Sequence, residues 1–333
     1  MFIDSIVHKQ TLDAFGELAF PLFIEPATEG VDLAEWLPAH KESFEEDLSR
    51  HGAILFRGFD ISTPQHFNRF VQCFNTAPLP YMFRSSPRKE LDRSIKNIYL
   101  STSYPNERVI NMHNEASYSR VWGRKIIFCC IQPAAAGGET PIADSRKVLQ
   151  SLSAALQVKF REKGVMYRRN LFAEIGMPWQ EVFQTNDKNE VRQLCEKNRI
   201  EYRFTGNDDC IIEWRKEAIY KHPVSGCDTW FNHVFFFNRF SRYEELGLSP
   251  DDFLPEEYLA SDTFFGDGSP ISFEEYKEIR DAYEKNKIIF PYQKGDVLFL
   301  DNMLAAHGRN PYEGERTIAT AILEAAYDEG FVA

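Results

Sequence analysis

Apolar positions recur along the chain in two different periods. In "ESFEEDLSRHG" (42–52) they fall three to four residues apart, which predicts an amphipathic helix stopped by Gly52. "AILFRGF" (53–59) is a continuous apolar run and predicts a buried strand. "TPQHFNRFVQCF" (63–74) returns to the helical period, with Thr63 placed to cap it and Pro64 at its first position. "KIIFCCIQP" predicts a strand ended by Pro133. "AAAGGET" is a turn, and "TPIAD" resumes extended structure. "SRKVLQSLSAALQVKFREKG" (145–164) predicts one long helix with Ser145 as its cap and Gly164 as its stop, followed by an extended "GVMYRRN".

The middle, about 170–290, mixes both periods. "NEVRQLCEKN" and "SFEEYKEIRDAYEKN" are helical, while "CIIEWR" and "DTWFNHVFFF" are extended. Near the end, "GDVLFLDN" is a strand after a glycine turn, "MLAAHGRNPYEGE" a loop, and "RTIATAILEA" a closing strand. Strands bracket the chain and helices lie before and between them. The expectation is a mainly β fold with surrounding helices and a jelly-roll core. No internal repeat, low-complexity tract or Pro/Gly-rich linker divides the chain. One domain over 1–333 is expected, with a helix and strand region of about 1–80 packed on the core and a helical insertion within about 170–290.

Composition changes this picture by exclusion. A net charge of −12 argues against a nucleic-acid binder, which needs a basic face. No apolar run approaches the ~18 residues of a membrane span, and "MFIDSIVHKQ" does not read as a secretory signal. The cysteines at 73, 129, 130, 195, 210 and 227 form no C-x-x-C pair, so no zinc ribbon or thioredoxin motif is indicated. Cys129 and Cys130 lie in an apolar strand and read as small core residues. A reducing, cytoplasmic setting is expected.

Candidate chemistry starts at "NMHNEASYS". His113 and Glu115 are two apart, so on an extended strand both project from one face and make half of a metal site. His307 in "DNMLAAHG" is the candidate third ligand, at the end of a buried strand. Two histidines and a carboxylate leave three positions open on an octahedral ion, as in non-haem Fe(II) oxygenases. Arg316, nine residues after His307, could meet a planar carboxylate with two parallel N–H bonds, and Thr140 could add a hydroxyl. A dicarboxylate such as 2-oxoglutarate would fit between iron and that anchor. The same residues also fit a blander account, with His113 and Glu115 an exposed pair near a turn and Arg316 an ordinary surface arginine. His222 and His233 have no carboxylate or cysteine pattern to complete a second site and read as structural.

"HNEASYS", "PAAAGGETPIADSR" and "GDVLFLDNMLAAHGRNPYEGER" resemble the taurine dioxygenase/TfdA family of Fe(II)- and 2-oxoglutarate-dependent oxygenases. "FRSSPRKEL", "STSYPNERVINMHNE", "GVMYRRN", "VFQTND", "HPVSG" and "WFN" bring the chain closer to one branch, the syringomycin-type aspartate β-hydroxylases of non-ribosomal peptide pathways. The similarity runs from about residue 50 to the end. It implies a clavaminate-synthase-like double-stranded β-helix. His113, Glu115 and His307 would be the Fe(II) ligands, Thr140 and Arg316 would hold the distal carboxylate of 2-oxoglutarate, and O2 would be consumed. Related halogenases replace the carboxylate ligand with a small residue, so Glu115 favours oxygen transfer. Taurine dioxygenase takes its sulfonate with a second arginine on the last strand. The matching position here is Thr320, which argues against a sulfonate substrate.

The implied activity is hydroxylation of an unactivated carbon, β to the carboxylate, of an amino acid that is free or carried on a peptidyl carrier protein. The implied setting is specialised-metabolite biosynthesis. Arg84, Ser117, Arg168, Arg169 and Asn170 are the candidate substrate residues. Desaturation or another oxidation of a different small acid is the alternative within the same chemistry. A jelly-roll binding protein with an inactive site is the alternative outside it.

Overall fold

The computed structural model describes residues 6–11, 20–81, 89–92, 94–101, 104–206 and 208–331. Its centre is an eight-stranded sheet in the order Val7–Thr11, Leu22–Pro26, Ala53–Phe56, Val297–Asp301, Val121–Gln132, Thr317–Tyr327, Ile95–Leu100, Glu90–Asp92. All neighbours are antiparallel except Leu22–Pro26 and Ala53–Phe56. A four-stranded sheet lies against it, in the order Lys287–Ile288, Ile142–Asp144, Ala305–Arg309, Ile110–His113.

Strand alternation explains how the two sheets pack. Ile126, Phe128, Cys130, Leu298, Leu300, Ile318 and Ile322 of the large sheet meet Ile142, Ile288 and Ala305 of the small one. The intervening residues Ile127, Cys129, Val297, Phe299, Ala319 and Ala321 point the other way. They pack under the helices Leu33–Ala39, Lys41–His51 and Pro64–Gln72, through Trp36, Phe44 and Phe70. The run "IIFCCI" is apolar throughout because its strand is buried on both faces. This is the expected mainly β jelly-roll core with surrounding helices, its sheets not closed into a barrel.

The outer face of the small sheet, with Met112, Ala143 and Ala306, packs on a third layer. That layer holds the helices Ser145–Ser151, Ala154–Lys163 and Phe273–Asn286 and a second four-stranded sheet, ordered Glu201–Phe204, Cys210–Lys216, Val165–Leu171, Ser261–Phe265. The stretch of about 170–290 therefore supplies strands as well as helices.

Three local expectations differ from the structure. The expected helix over 145–164 is two helices, Ser145–Ser151 and Ala154–Lys163. Ser153 accepts from the Leu156 N–H at 3.3 Å and restarts the helix, and Asp144, not Ser145, caps the first one. "DTWFNHVFFF" is a strand only at Asp228–Trp230 and turns helical at Val234–Phe237, where Asn232 accepts from the Val234 N–H at 3.0 Å. "MLAAHGRNPYEGE" is not all loop, because Ala305–Arg309 is a central strand of the small sheet. The Asp301 carboxylate accepts from the N–H groups of Met303 and Leu304, which reverses the chain at once into that strand.

Candidate functional site

His113 ends one strand of the small sheet and lies directly opposite His307 on the next. The rings are 4.5 Å apart between centroids. Alternation sends Met112 and Ala306 outward and turns both imidazoles toward the large sheet, where Phe128 packs on His307 at 4.9 Å. Glu115 joins them, with its Oε2 4.0 Å from His307 Nε2. One ligand atom from each of the three residues lies within 4.8 Å of the others, and all three side chains are buried. Among the described residues this is the one group of three such side chains placed to hold an ion.

The route to that geometry differs from the i, i+2 strand expectation. The strand stops at His113, and Glu115 sits in a turn with Ala116 at φ 53°. Asn302, in the turn just before the His307 strand, holds the Glu115 turn in place. Its Oδ1 accepts from the Glu115 N–H at 2.7 Å, and its Nδ2 donates to the carbonyls of Glu115 and Gly123, each at 2.8 Å. Asn114 donates to the Asn302 carbonyl at 2.7 Å. Asn302 was not among the residues singled out in the sequence, although it lies in the "LDN" that precedes the turn.

The histidine rings are also held from behind. His113 Nδ1 pairs with the Asn111 carbonyl at 2.7 Å, so that nitrogen carries the proton and Nε2 keeps its lone pair for a metal. His233 packs on His113 at 5.1 Å and lies 2.7 Å from the Ser117 hydroxyl. Burial, then the neighbouring His113 and His307, push the His233 pKa far down, so it is neutral. His222 is elsewhere. It donates from Nε2 to Asp301 at 2.9 Å and accepts the Ser225 N–H at 3.0 Å, a structural role.

Arg316 is half-buried just before the last strand. It donates to the Gly138 carbonyl at 2.8 Å and to the Ser101 hydroxyl at 3.2 Å, and stacks on Tyr312 at 5.5 Å. Gly138, at φ +74°, leaves room for this, since a Cβ there would come within 3.0 Å of the arginine chain. Thr140, which is buried, follows two residues later. Burial lowers the Arg316 pKa, and among the described residues no carboxylate forms an ion pair with it. Arg309 is committed elsewhere, donating to the carbonyls of Tyr104, Pro105 and Arg108.

The five candidate substrate residues do not form one wall. Arg168 and Arg169 are adjacent on a strand and face opposite ways. Arg168 pairs with Glu213 at 2.5 Å and Glu256 at 2.7 Å, partly in solvent. Asn170 shares that face and donates to the carbonyls of Glu256 and Leu259. Arg169 turns inward, buried, with its guanidinium 5.7 Å from the Phe237 ring centre. Ser117 donates to the Asn114 carbonyl at 2.9 Å within the Glu115 turn. Arg84 lies outside the described residues. Thr320 faces the space between the sheets, and its buried hydroxyl has no hydrogen-bond partner among the described residues.

The donor chemistry fits the expected groups. Two neutral imidazoles and one carboxylate suit a divalent first-row ion and leave coordination positions open. A largely covered guanidinium with no carboxylate partner among the described residues suits an anionic ligand, because an uncompensated charge drawn out of water is costly. A jelly roll with this donor set and this cation defines a class, the mononuclear-metal oxygenases that take a dicarboxylate co-substrate.

Comparison with known proteins agrees. The family model "Taurine catabolism dioxygenase TauD, TfdA family" matches residues 18–322, and the chain belongs to that family. It is 35% identical to the dapdiamide synthesis protein DdaC of Enterobacter agglomerans over 309 residues, covering 91% of each chain. It is 25% identical to a clavaminate synthase-like protein of Arabidopsis thaliana, covering 91% of this chain and 93% of that one. In fold it is similar to PvcB of Pseudomonas aeruginosa, with a TM-score of 0.56 and 13% identity over 97% of this chain and 93% of that one. It is also similar to AAD-2 in complex with Mn(II) and N-oxalylglycine, with a TM-score of 0.56 and 15% identity over 98% and 99%. The protein is an Fe(II)- and 2-oxoglutarate-dependent dioxygenase that consumes O2. No described helix is long and apolar enough to cross a membrane.

Proposed function

We propose that this dioxygenase hydroxylates an amino acid, free or held on a peptidyl carrier protein, at an unactivated carbon β to the carboxylate, in specialised-metabolite biosynthesis. The relative named for dapdiamide synthesis supports the setting. Free thiols at all six cysteines fit a reducing, cytoplasmic compartment.

In this reading His113, Glu115 and His307 would hold Fe(II), and Thr140 and Arg316 would hold the distal carboxylate of 2-oxoglutarate. When bound, these groups supply oxidative decarboxylation to succinate and carbon dioxide, with the second oxygen atom of O2 passed to the substrate. The protein's part is placement. Asn302 sets the position of Glu115, and His233 and Asn111 set the plane and tautomer of His113. Phe128 beside His307 and Phe236, 4.9 Å from His113, cover the two imidazoles with apolar rings and limit water around them. With a metal bound, Glu115 would supply the carboxylate ligand in place of a halide, which favours oxygen transfer.

The observation that carries the amino-acid assignment is Arg169. The protein is acidic overall and repels anions at long range, so a carboxylate substrate needs a local cation. Arg169 is a buried cation on Phe237, which packs on His233, which packs on His113. Its neighbour Arg168 faces the other way and pairs with Glu213 and Glu256, partly in solvent.

The test is succinate release, screened against free amino acids, aminoacyl carrier proteins, aryloxy acids and terpenoids. A zwitterionic or acidic amino acid should stimulate it and gain one oxygen atom, and Arg169→Met should uncouple 2-oxoglutarate consumption from product. Stimulation by an aryloxy acid or terpenoid and by no amino acid, in either form, would overturn the assignment and leave the oxygenase class standing.

A further inference from the structure

We infer that Tyr292 is a co-substrate-binding residue, a third donor to the distal carboxylate of 2-oxoglutarate beside Arg316 and Thr140. The inference rests on the reading of Arg316 and Thr140 given above.

Tyr292 lies in the connection between Lys287–Ile288 of the small sheet and Val297–Asp301 of the large one. Its ring packs on the core between the sheets and on Phe290 at 6.0 Å. Its hydroxyl is buried and makes no hydrogen bond among the described residues. That is costly for a phenol unless a ligand supplies the partner. The hydroxyl's polar surroundings are the Thr140 hydroxyl and the Arg316 guanidinium, with Cys130 and Asp296 farther off in effect. The Thr140 hydroxyl is close enough to weigh on the phenol as a hydrogen-bonding group, yet the pair falls outside full hydrogen-bond geometry, so the phenol keeps capacity for a ligand.

The ring is held by other means, which leaves the hydroxyl free for a ligand. Arg57 donates to the Pro291 carbonyl at 2.9 Å and pairs with Asp296 at 2.6 Å. Asp296 accepts from the Gln293 N–H at 2.7 Å. Gly295 donates to the Cys130 carbonyl, and Cys130 to that of Asp296, each at 2.8 Å. The backbone is therefore clamped on both sides of Tyr292, and none of these bonds uses the phenol. Burial also raises the phenol's pKa, so it remains a neutral donor at physiological pH. A guanidinium, a threonine hydroxyl and a phenol set near one another suit a carboxylate, which accepts several hydrogen bonds at once.

The test compares the parent with Tyr292→Phe, which keeps the ring and removes the hydroxyl. Calorimetry on the Mn(II)-loaded protein without O2 should show 2-oxoglutarate binding weakened on the order of tenfold to a hundredfold. The affinity for Mn(II) itself should not change. The melting temperature of the metal-free protein should stay level or rise, because an unsatisfied group has been removed. A 2-oxoglutarate affinity within about twofold of the parent, or a lower metal-free melting temperature, would overturn the inference. Arg316→Leu separates the two levels of the argument. If it weakens binding while Tyr292→Phe does not, only the phenol's role falls. If neither variant weakens binding, the proposed carboxylate cradle falls with it.

Discussion

Asn302 grips the backbone of Glu115 from both sides, accepting from its N–H at 2.7 Å and donating to its carbonyl at 2.8 Å. The two residues are 187 positions apart in the chain. The carboxylate that faces the two histidines thus owes its position to an amide from a distant part of the chain. Asn302→Leu, close in size but without polar atoms, leaves several buried groups unpaired and should cost roughly 2–4 kcal/mol of stability. It should also weaken Mn(II) binding roughly 10–100-fold. Unchanged Mn(II) affinity in calorimetry would show that Glu115 keeps its place without Asn302.

His113 and His307 face each other across adjacent strands, and neither ring is needed to pair those strands. His113→Ala and His307→Ala should each reduce 2-oxoglutarate turnover to background. Their far-UV circular dichroism should match the parent. A variant that consumes 2-oxoglutarate at the parental rate removes that histidine from the ligand set.

Arg316→Leu deletes a charge-assisted contact from a largely covered position, a loss on the order of 2–5 kcal/mol. The apparent 2-oxoglutarate requirement should rise about 30-fold or more. Arg309→Leu should instead loosen the 104–108 loop, whose carbonyls it binds, with a smaller effect on 2-oxoglutarate. Succinate formation measured against 2-oxoglutarate concentration distinguishes the two, and an effect of Arg309→Leu alone would move the anchor.

Lys216 gives a prediction in pH. Its ammonium is fully buried, stacks on Trp122 at 4.8 Å and pairs with Asp328 at 3.2 Å. Burial outweighs the pull of Asp328 and lowers its pKa from 10.5 to about 8. Between those values the unfolded chain keeps a proton that the folded chain has released, so this group makes stability rise with pH across that window. Below about pH 8 its burial cost is felt in full. Denaturant titrations from pH 7.5 to 10.5 should show the parent gaining roughly 3 kcal/mol relative to Lys216→Met. Parallel curves would contradict a lowered pKa.

Local pattern carried much of the fold. The helix over 42–52 ends at Gly52 because that residue takes φ 76°, a region open to glycine, and the helix after Thr63 starts at Pro64 because proline fits a first turn. The double-faced burial of Val121–Gln132 shows in its unbroken apolar run. Such features depend on neighbours a few residues away, and the sequence alone determines them. It also brought forward His113, Glu115, His307, Thr140 and Arg316 as residue types suited to one chemistry.

Tertiary structure decided what depends on partners far along the chain. The turn that presents Glu115 is held by Asn302, and the strand that presents His307 forms because Ile110–His113 and Ile142–Asp144 leave a place between them. Arg168 and Arg169 look alike in sequence, and only the facing of their strand makes one a solvent ion pair and the other a buried cation. Tyr292 was invisible as a candidate because a phenol in "PYQKG" carries no local signal. Its meaning comes from the charge and hydroxyl that folding sets beside it. Short-range sterics and periodicity are written into successive residues, whereas the placing of a polar atom without a partner depends on every chain segment that packs around it.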